Sequence, residues 1–386
     1  MPAVFQTQLD KSAFNSGKKK RNVMRFKINK QVESIKIYEP GRPIREVAQQ
    51  YQLEKVIKLS SNENPLGFSP DVNDAVLKAM KEMNRYPESG AHALNNKLAQ
   101  KFHVSSENIV LGNGSDDIIA LLCHGFLNEG DEALMPLPSF LMYEISVKTA
   151  KGVPVMVPLN DFSTNLKGIA KKISSKTRLI FITNPFNPTG STIRFDEFNE
   201  FAQQVPRDVI IAVDEAYIEF VRSDTVYNAL KNPLQDQRIV SLRTFSKAYG
   251  LAGFRVGYGI MNEQIAQVLN KIRQPFNVNS LAQVAAVAAL DDEDFLKTSI
   301  RTTHESLDFM FHELENAGIY CLPTQSNFFL LDVKQDAGEV FEKMLQRGVI
   351  VRSMKSYGFD TFLRVNTGTE QENTLFLHAL KEVLKK

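Results

Sequence analysis

Lys247 lies in Ser241-Leu242-Arg243-Thr244-Phe245-Ser246-Lys247, directly behind an apolar run, and Gly250, Gly253 and Arg255 follow closely. A lysine in such a place is ordinarily a solvated charge. This one has companions upstream: Gly112-Asn113-Gly114-Ser115-Asp116, Asn184-Pro185-Phe186-Asn187-Pro188-Thr189-Gly190 and Asp214-Glu215-Ala216-Tyr217. Together they supply an amine nucleophile, an anion cradle, a carboxylate and hydroxyl groups. Those parts suit a phosphorylated aldehyde held as a Schiff base on the lysine, which is the chemistry of pyridoxal phosphate (PLP).

Taken singly, each piece has a plainer reading. Glycines at 112 and 114 let backbone approach an anion, and a helix start offers free N–H groups and a positive dipole end. A tight turn capped by Ser115 would leave the same trace. A dinucleotide fingerprint needs a third glycine where Asp117 stands, and a P-loop needs Gly-Lys-Ser/Thr, which is absent. Asp214 ends the apolar run Val209–Val213, so it is expected half-buried at the mouth of a sheet, at a cost unless a positive group pairs with it. A pyridinium nitrogen, a structural arginine or a helix N-terminus would each serve. Asn187-Pro188-Thr189-Gly190 reads equally as a turn, and Arg255 as a surface ion-pair partner. The constellation, in this order, is what departs from the ordinary.

Positioning these residues requires a sheet whose strand ends converge. Short apolar runs recur at 133–137, 153–157, 178–183, 209–213, 239–242 and 255–260, with helical periodicity between several of them, as around 195–205. Strands alternating with helices predict an α/β fold, a large, mostly parallel sheet with helices on both faces. In such sheets ligands collect at the carboxyl ends of the strands. A Ser69-Pro70 start signal predicts a helix over 71–84, with Val72, Ala75, Val76, Ala79, Met80 and Met83 on one face. Beyond residue 280 the pattern changes to helices near 281–290 and 295–317, strands at 327–331 and 362–366, and a last helix near 370–385. That change predicts a smaller C-terminal α/β domain. The expected division is a basic leader at 1–30, an arm at 31–60 packing on the small domain or a partner, a large cofactor domain at 61–280 and a small domain at 281–386.

The 386 residues carry a formal charge of +2, unevenly placed: residues 1–30 hold eight Lys/Arg against Asp10 alone. Subtracting that +7 leaves −5 on the rest, which argues against nucleic acid as a partner. No apolar stretch is long enough to span a bilayer. Cys123 and Cys321 are far apart and form no CxxC, so neither a disulfide framework nor a zinc site is expected. Cys123, in an apolar helical run, is expected as a buried thiol, a usage suited to the cytoplasm.

With these residues in place, the chain from about Tyr38 onward resembles the fold-type-I PLP-dependent aminotransferases, and among them most closely the histidinol-phosphate aminotransferase family. The segments that carry the resemblance are Leu59-Ser60-Ser61-Asn62-Glu63-Asn64-Pro65-Leu66-Gly67, Arg85-Tyr86-Pro87, Gly112–Asp116, Asn187–Gly190, Asp214–Tyr217, Ser246-Lys247-Ala248 and Leu363-Arg364-Val365. The resemblance implies that Lys247 forms the Schiff base and later moves the substrate proton. It implies that Asp214 keeps the pyridine nitrogen protonated, and that Asn187 and Tyr217 bond the ring oxygen. Backbone N–H groups of Ser115 and Asp116, with Ser246 and Arg255, would hold the cofactor phosphate. Tyr86 would reach that phosphate from a partner subunit, making a homodimer with shared sites. Phe140 would stack on the ring, where many relatives have tyrosine. Asp117 replaces a glutamate common in the family.

On the substrate side, the resemblance assigns Arg364 to a carboxylate or phosphate, Arg352 and Tyr38 to the substrate phosphate, and Asn327 to a place near the anion. The implied reaction passes an amino group from L-glutamate, leaving 2-oxoglutarate, to imidazole acetol phosphate, giving histidinol phosphate, with ping-pong kinetics. Within the same fold, aromatic-amino-acid aminotransferases and threonine-phosphate decarboxylases share the cofactor segments. A PLP-binding module of a transcription regulator, or a non-catalytic scaffold, is the alternative from another class.

Overall fold

The computed structural model describes residues 27, 30–35, 37, 41–231 and 233–385. Residues 1–26 of the basic leader, and Tyr38, lie outside the described residues. The first strand, β1 (Ile57–Lys58), is short. The next seven are β2 (Ile109–Gly112), β3 (Glu132–Leu137), β4 (Val153–Pro158), β5 (Thr177–Thr183), β6 (Ile210–Asp214), β7 (Ile239–Thr244) and β8 (Gly257–Ile260). They form one sheet in the order β2-β8-β7-β6-β5-β3-β4. β3 to β7 run parallel, and β8 runs antiparallel to both of its neighbours, β2 and β7. The remaining strands are β9 (Tyr320–Cys321), β10 (Phe328–Asp332), β11 (Val349–Ile350), β12 (Arg352–Ser353) and β13 (Phe362–Asn366). β9, β10, β12 and β13 make a four-stranded sheet ordered β12-β13-β10-β9, whereas β11 pairs with β1 in a two-stranded one.

The apolar runs of the parallel strands are continuous because both faces are covered. On one face Leu179, Phe181, Ala212 and Val240 pack with Ile118, Leu122, Val147 and Leu269. On the other, Ile180, Ile182, Ile211 and Val213 pack with Ile169, Phe198 and Phe201. Successive residues of β5 and β6 thus point to opposite cores, as a period of two requires. Leu111, Tyr258 and Ile260 join a third cluster with Val72, Leu94 and the small residues Ala282, Ala285 and Ala286 of the helix Ser280–Asp291. The four-stranded sheet packs its Phe329, Leu331, Leu363 and Val365 against the helices Glu293–Asn316, Ala337–Leu345 and Glu370–Leu384.

One expected helix is shorter than its periodicity suggested. It spans Pro70–Ala79 and passes into a single 3-10 turn, so Met80 and Met83 do not continue the buried face but stand exposed. Cys123 is fully buried, and burial pushes its thiol up to about 12. Among the described residues no helix is long and apolar enough to cross a membrane.

Candidate active site

The ends of β5, β6 and β7 face the four-stranded sheet across a cavity of about 250 Å³. From the first sheet and its loops come Ser115, Asp116, Phe140, Asn187, Asp214, Tyr217, Ser246, Lys247 and Arg255, and from the second come Arg352, Tyr357 and Arg364. The segment 60–63 closes the seam between them.

Lys247 stands three residues beyond the end of β7, half-buried. Its Nζ donates to the Ser61 carbonyl at 3.2 Å and lies 5.7 Å from the centre of the Tyr217 ring. Burial, then the positive field of Arg364, lowers its pKa to about 8, against the opposing pull of Glu63 and Asp116. At neutral pH about a tenth of the amine is therefore unprotonated, roughly three hundredfold more than for a lysine at the ordinary value. A nucleophile is prepared in this way, by taking the charged form out of water.

Asp214 closes β6 opposite Thr183 of β5 and Leu242 of β7. It is 6% exposed, more deeply buried than the half-burial expected of it. Desolvation raises its pKa to about 6, and the Tyr143 hydroxyl, which donates to it at 2.7 Å, pulls the other way. The Ala216 N–H donates to its other oxygen at 3.2 Å. Tyr143 itself is held by stacking on Phe181, with ring centres 4.7 Å apart, and by the Thr183 hydroxyl at 2.8 Å. The Phe140 and Tyr143 rings meet edge-on. A buried carboxylate at a strand end, facing a cavity, is a counterion site for a cation that enters there.

The anion cradle begins where β2 ends. Gly114 caps the helix Ser115–Phe126 with φ of 79°, and a Cβ there would lie 2.7 Å from Arg255 Nη2. The backbone angle favours glycine, and a Cβ there would also push the Arg255 guanidinium out of its present place. Arg255, expected at a strand start, instead adopts a left-handed φ of 60° two residues before β8. Its guanidinium lies 3.8 Å from Asp116. Thr244 donates through Oγ1 to Ser246 Oγ at 3.0 Å and receives the Ser246 N–H at 3.1 Å. Desolvation raises the Asp116 pKa while Arg255 and Lys247 oppose it. The carboxylate of Asp117 accepts from Asn113 N–H and Asn277 Nδ2, so the shorter acid still braces the loop.

Across the cavity, Arg352 of β12 stands directly opposite Arg364 of β13 in the antiparallel register. Like charges at facing positions repel, so this pairing is stabilised when an anion sits between or above them. Arg364 is buried; its Nη1 donates to Asn187 Oδ1 at 2.7 Å and its Nη2 to the Ser60 carbonyl at 2.8 Å. A planar fork held in this way presents a fixed edge to a carboxylate or phosphate.

Asn327, expected near the substrate anion, does not line the cavity; it is buried and donates to the Asn62 carbonyl at 3.2 Å. Tyr86, expected to serve the site of a partner subunit, is 84% exposed and stacks on Phe276 with centres 5.0 Å apart. Conversely, Tyr143, Asn62, Thr244 and Tyr357 belong to the site without having been singled out. Asn62 takes a φ of 56° and donates through Nδ2 to the Tyr217 hydroxyl at 3.0 Å. Tyr143 was open to detection, because it follows Phe140 by three residues at a helix start and so shares its face.

Beneath the site, Arg243 of β7 meets Glu215 at 3.0 Å and Glu219 at 3.2 Å, all of them buried or nearly so, and donates to Asn228 Oδ1 at 3.0 Å. Glu215 also accepts from the Ser241 hydroxyl and the Ala229 N–H. This network locks the chain that follows Asp214 to the strand that leads to Lys247.

A depressed amine, a buried carboxylate, a glycine-opened helix start beside an arginine and a flanking aromatic ring form a donor set that fits PLP. Residues 54–380 match the family Aminotransferase class I and II. The chain is 43% identical to histidinol-phosphate aminotransferase 2 of Carboxydothermus hydrogenoformans, over 93% of this chain and 99% of the relative. It is 42% identical to the histidinol-phosphate aminotransferase of Moorella thermoacetica, over 93% of each. The crystal structure of histidinol-phosphate aminotransferase from Sinorhizobium meliloti, in complex with pyridoxal-5′-phosphate, superposes with a TM-score of 0.85 at 26% identity, covering 94% of this chain and 99% of that one.

Proposed function

Since this chain belongs to the aminotransferase class I and II family, we propose that it transfers an amino group from L-glutamate to imidazole acetol phosphate, giving 2-oxoglutarate and L-histidinol phosphate. The observation that carries the substrate reading is the Arg352–Arg364 pair, two guanidiniums in register at the rim of a cavity that also holds Lys247. Glutamate and histidinol phosphate differ in shape, but each presents an anion to such a pair.

Bound PLP supplies the electron sink that makes the substrate α-proton acidic. The residues of the chain do the rest. Ser115 and Asp116 N–H groups, Ser246 and Arg255 hold the cofactor phosphate, with the helix dipole behind them. Asp214, its charge steadied by Tyr143, keeps a proton on the ring nitrogen. Asn187 and Tyr217 orient the ring oxygen, and Phe140 covers one face of the ring. Lys247, whose amine pKa is depressed to about 8, would anchor the cofactor and, once released, would take the proton from the substrate α-carbon and deliver it to the cofactor carbon on the far side of the imine nitrogen. Arg364 and Arg352 grip the substrate anions, Tyr38 adds to that grip, and Asn327 backs the site by holding Asn62.

A homodimer is part of the same reading. Tyr86, Phe276, Met80 and Met83 are large apolar side chains left exposed, and a second copy would cover them and bring Tyr86 to the partner's cofactor phosphate. The expected division into an arm at 31–60, a large domain at 61–280 and a small domain at 281–386 goes with it.

The test is a parallel transamination assay with histidinol phosphate, phenylalanine and threonine phosphate, using 2-oxoglutarate as acceptor. A kcat/KM at least about tenfold higher for histidinol phosphate is expected, a margin equal to about 1.4 kcal/mol of transition-state preference. Preference for phenylalanine, or release of carbon dioxide from threonine phosphate, would overturn the assignment.

A further inference from the structure

We propose that Phe162 is a positioning residue that fixes the anion-gripping edge of the four-stranded sheet against the cofactor end of the site; the substrate part of this rests on the function proposed above. Phe162 lies in the turn between β4 and the helix Leu166–Lys172, closed by reciprocal backbone hydrogen bonds of 2.9 Å between Asn160 and Ser163. Asp161 and Phe162 both take left-handed angles, φ 46° and 65°. Left-handed angles at both central residues are what a two-residue hairpin turn of this kind requires, and they aim the Phe162 ring outward from a fixed loop.

The surroundings are aromatic and belong to the other sheet. The Phe162 ring lies 5.3 Å from both Phe359 and Phe362. These rings join Leu322, Leu330, Met354 and Tyr357 in one cluster. Six of its seven members fall between residues 322 and 362, and Phe162 is the seventh, contributed from the side of the seven-stranded sheet. The turn that carries the cluster is tied to Met354, whose carbonyl accepts from Tyr357 and Phe359 N–H. Tyr357 lines the cavity, and Arg352 lies two residues before Met354.

The backbone of Phe162 is tied in the opposite direction. The Ser191 hydroxyl donates to the Phe162 carbonyl at 3.2 Å, and four residues earlier Asn187 holds Arg364. One residue thus connects the segment of Arg352 and Tyr357 to the loop that orients Arg364. The contacts that hold the cradle run among Thr244, Ser246, Ala252, Arg255 and Asp116 and involve neither Phe162 nor its aromatic partners. Loss of the ring is therefore expected to loosen the hold on substrate and to leave the hold on the cofactor phosphate unchanged.

The experiment compares cofactor-loaded wild type with Phe162→Ala and Phe162→Tyr. Phe162→Ala should raise KM for histidinol phosphate about tenfold, the effect of one lost aromatic contact, with kcat and the absorbance of the bound cofactor little changed. Amide hydrogen exchange should accelerate across 352–362 and stay as in wild type across 109–126. Phe162→Tyr, which keeps the ring, should restore both. If Phe162→Ala does not fold, Phe359→Ala removes one of the two ring contacts from the facing turn and should give the same changes to a smaller degree, no change in either again overturning the proposal. An unchanged KM with unchanged exchange overturns the proposal, and so does faster exchange across the whole chain with loss of cofactor, which would mark a purely structural role. If wild type does not turn over histidinol phosphate, the function proposal fails, and the exchange measurement still decides the role of Phe162.

Discussion

Tyr143→Phe removes one oxygen and leaves the ring, so it isolates what the hydroxyl does for Asp214. The stack on Phe181 and the edge contact with Phe140 survive the change. The bond lost is a 2.7 Å donation to a buried carboxylate, and hydrogen bonds to charged groups contribute about 1.5–3 kcal/mol. The Asp214 pKa, already raised from 3.8 to about 6, would move up by a further one to two units or so. In the cofactor-free protein at pH 7 much of the carboxylate would then be protonated, and an arriving cation would have to displace that proton. We expect kcat/KM at pH 7 to fall about 10- to 100-fold, with the acidic limb of the pH profile displaced upward. The sign of the stability effect is also determined. With its pKa raised, Asp214 makes a contribution to the stability of the cofactor-free fold that is fully present below 3.8 and is lost as pH climbs through about 6. The shift of about 2.2 units corresponds to roughly 3 kcal/mol. In Tyr143→Phe the loss should extend to higher pH. Thermal unfolding of the cofactor-free protein from pH 4 to 8, beside steady-state kinetics over the same range, measures both. A kcat/KM within twofold of wild type and an unmoved acidic limb would refute the role given to the hydroxyl.

Covalent loading of the cofactor-free protein with PLP, trapped with borohydride, should quicken about tenfold per pH unit up to about 8 and level off above, because only the neutral amine of Lys247 reacts. Lys247→Ala should trap nothing, and a loading rate independent of pH would count against the depressed amine. Arg243→Ala strands Glu215 and Glu219 in the interior. Breaking such a group costs about 3–5 kcal/mol and should lower the thermal midpoint by about 4–6 °C, and a midpoint equal to wild type would show that the network is dispensable.

The strands of the large sheet were legible because burial on both faces writes them as unbroken apolar runs: 178–183 and 209–213 match β5 and β6 to within a residue. The catalytic side of the site was legible for a related reason. Its residues sit at strand ends, where a polar residue interrupting an apolar run is conspicuous, as Asp214 is after Val213. Antiparallel β8 was misplaced at its start, since nothing in Arg255-Val256-Gly257 announces a left-handed arginine. Tyr143 and Asn62 were missed because their importance comes from contacts across 71 and 155 residues of chain, which periodicity does not encode. The continuation of the 70–79 helix through Met83 failed because an outward apolar stripe follows the same 3.6-residue spacing as an inward one.

The two facing arginines depend on a strand of two residues. β12 is the edge of its sheet, and the chain reaches it from β11, which pairs with β1 in a different sheet, with Val351 alone between them. Side chains alternate along a strand, so parity decides which side Arg352 faces. Adding or deleting one residue between β11 and β12 would turn the guanidinium away from the cavity. A change of two would return it to the same side, displaced by roughly 7 Å along the strand. Loop grafting at this rim is thus governed by whether the graft is odd or even more than by its composition, and even-length exchanges are the ones open to redesign of substrate length.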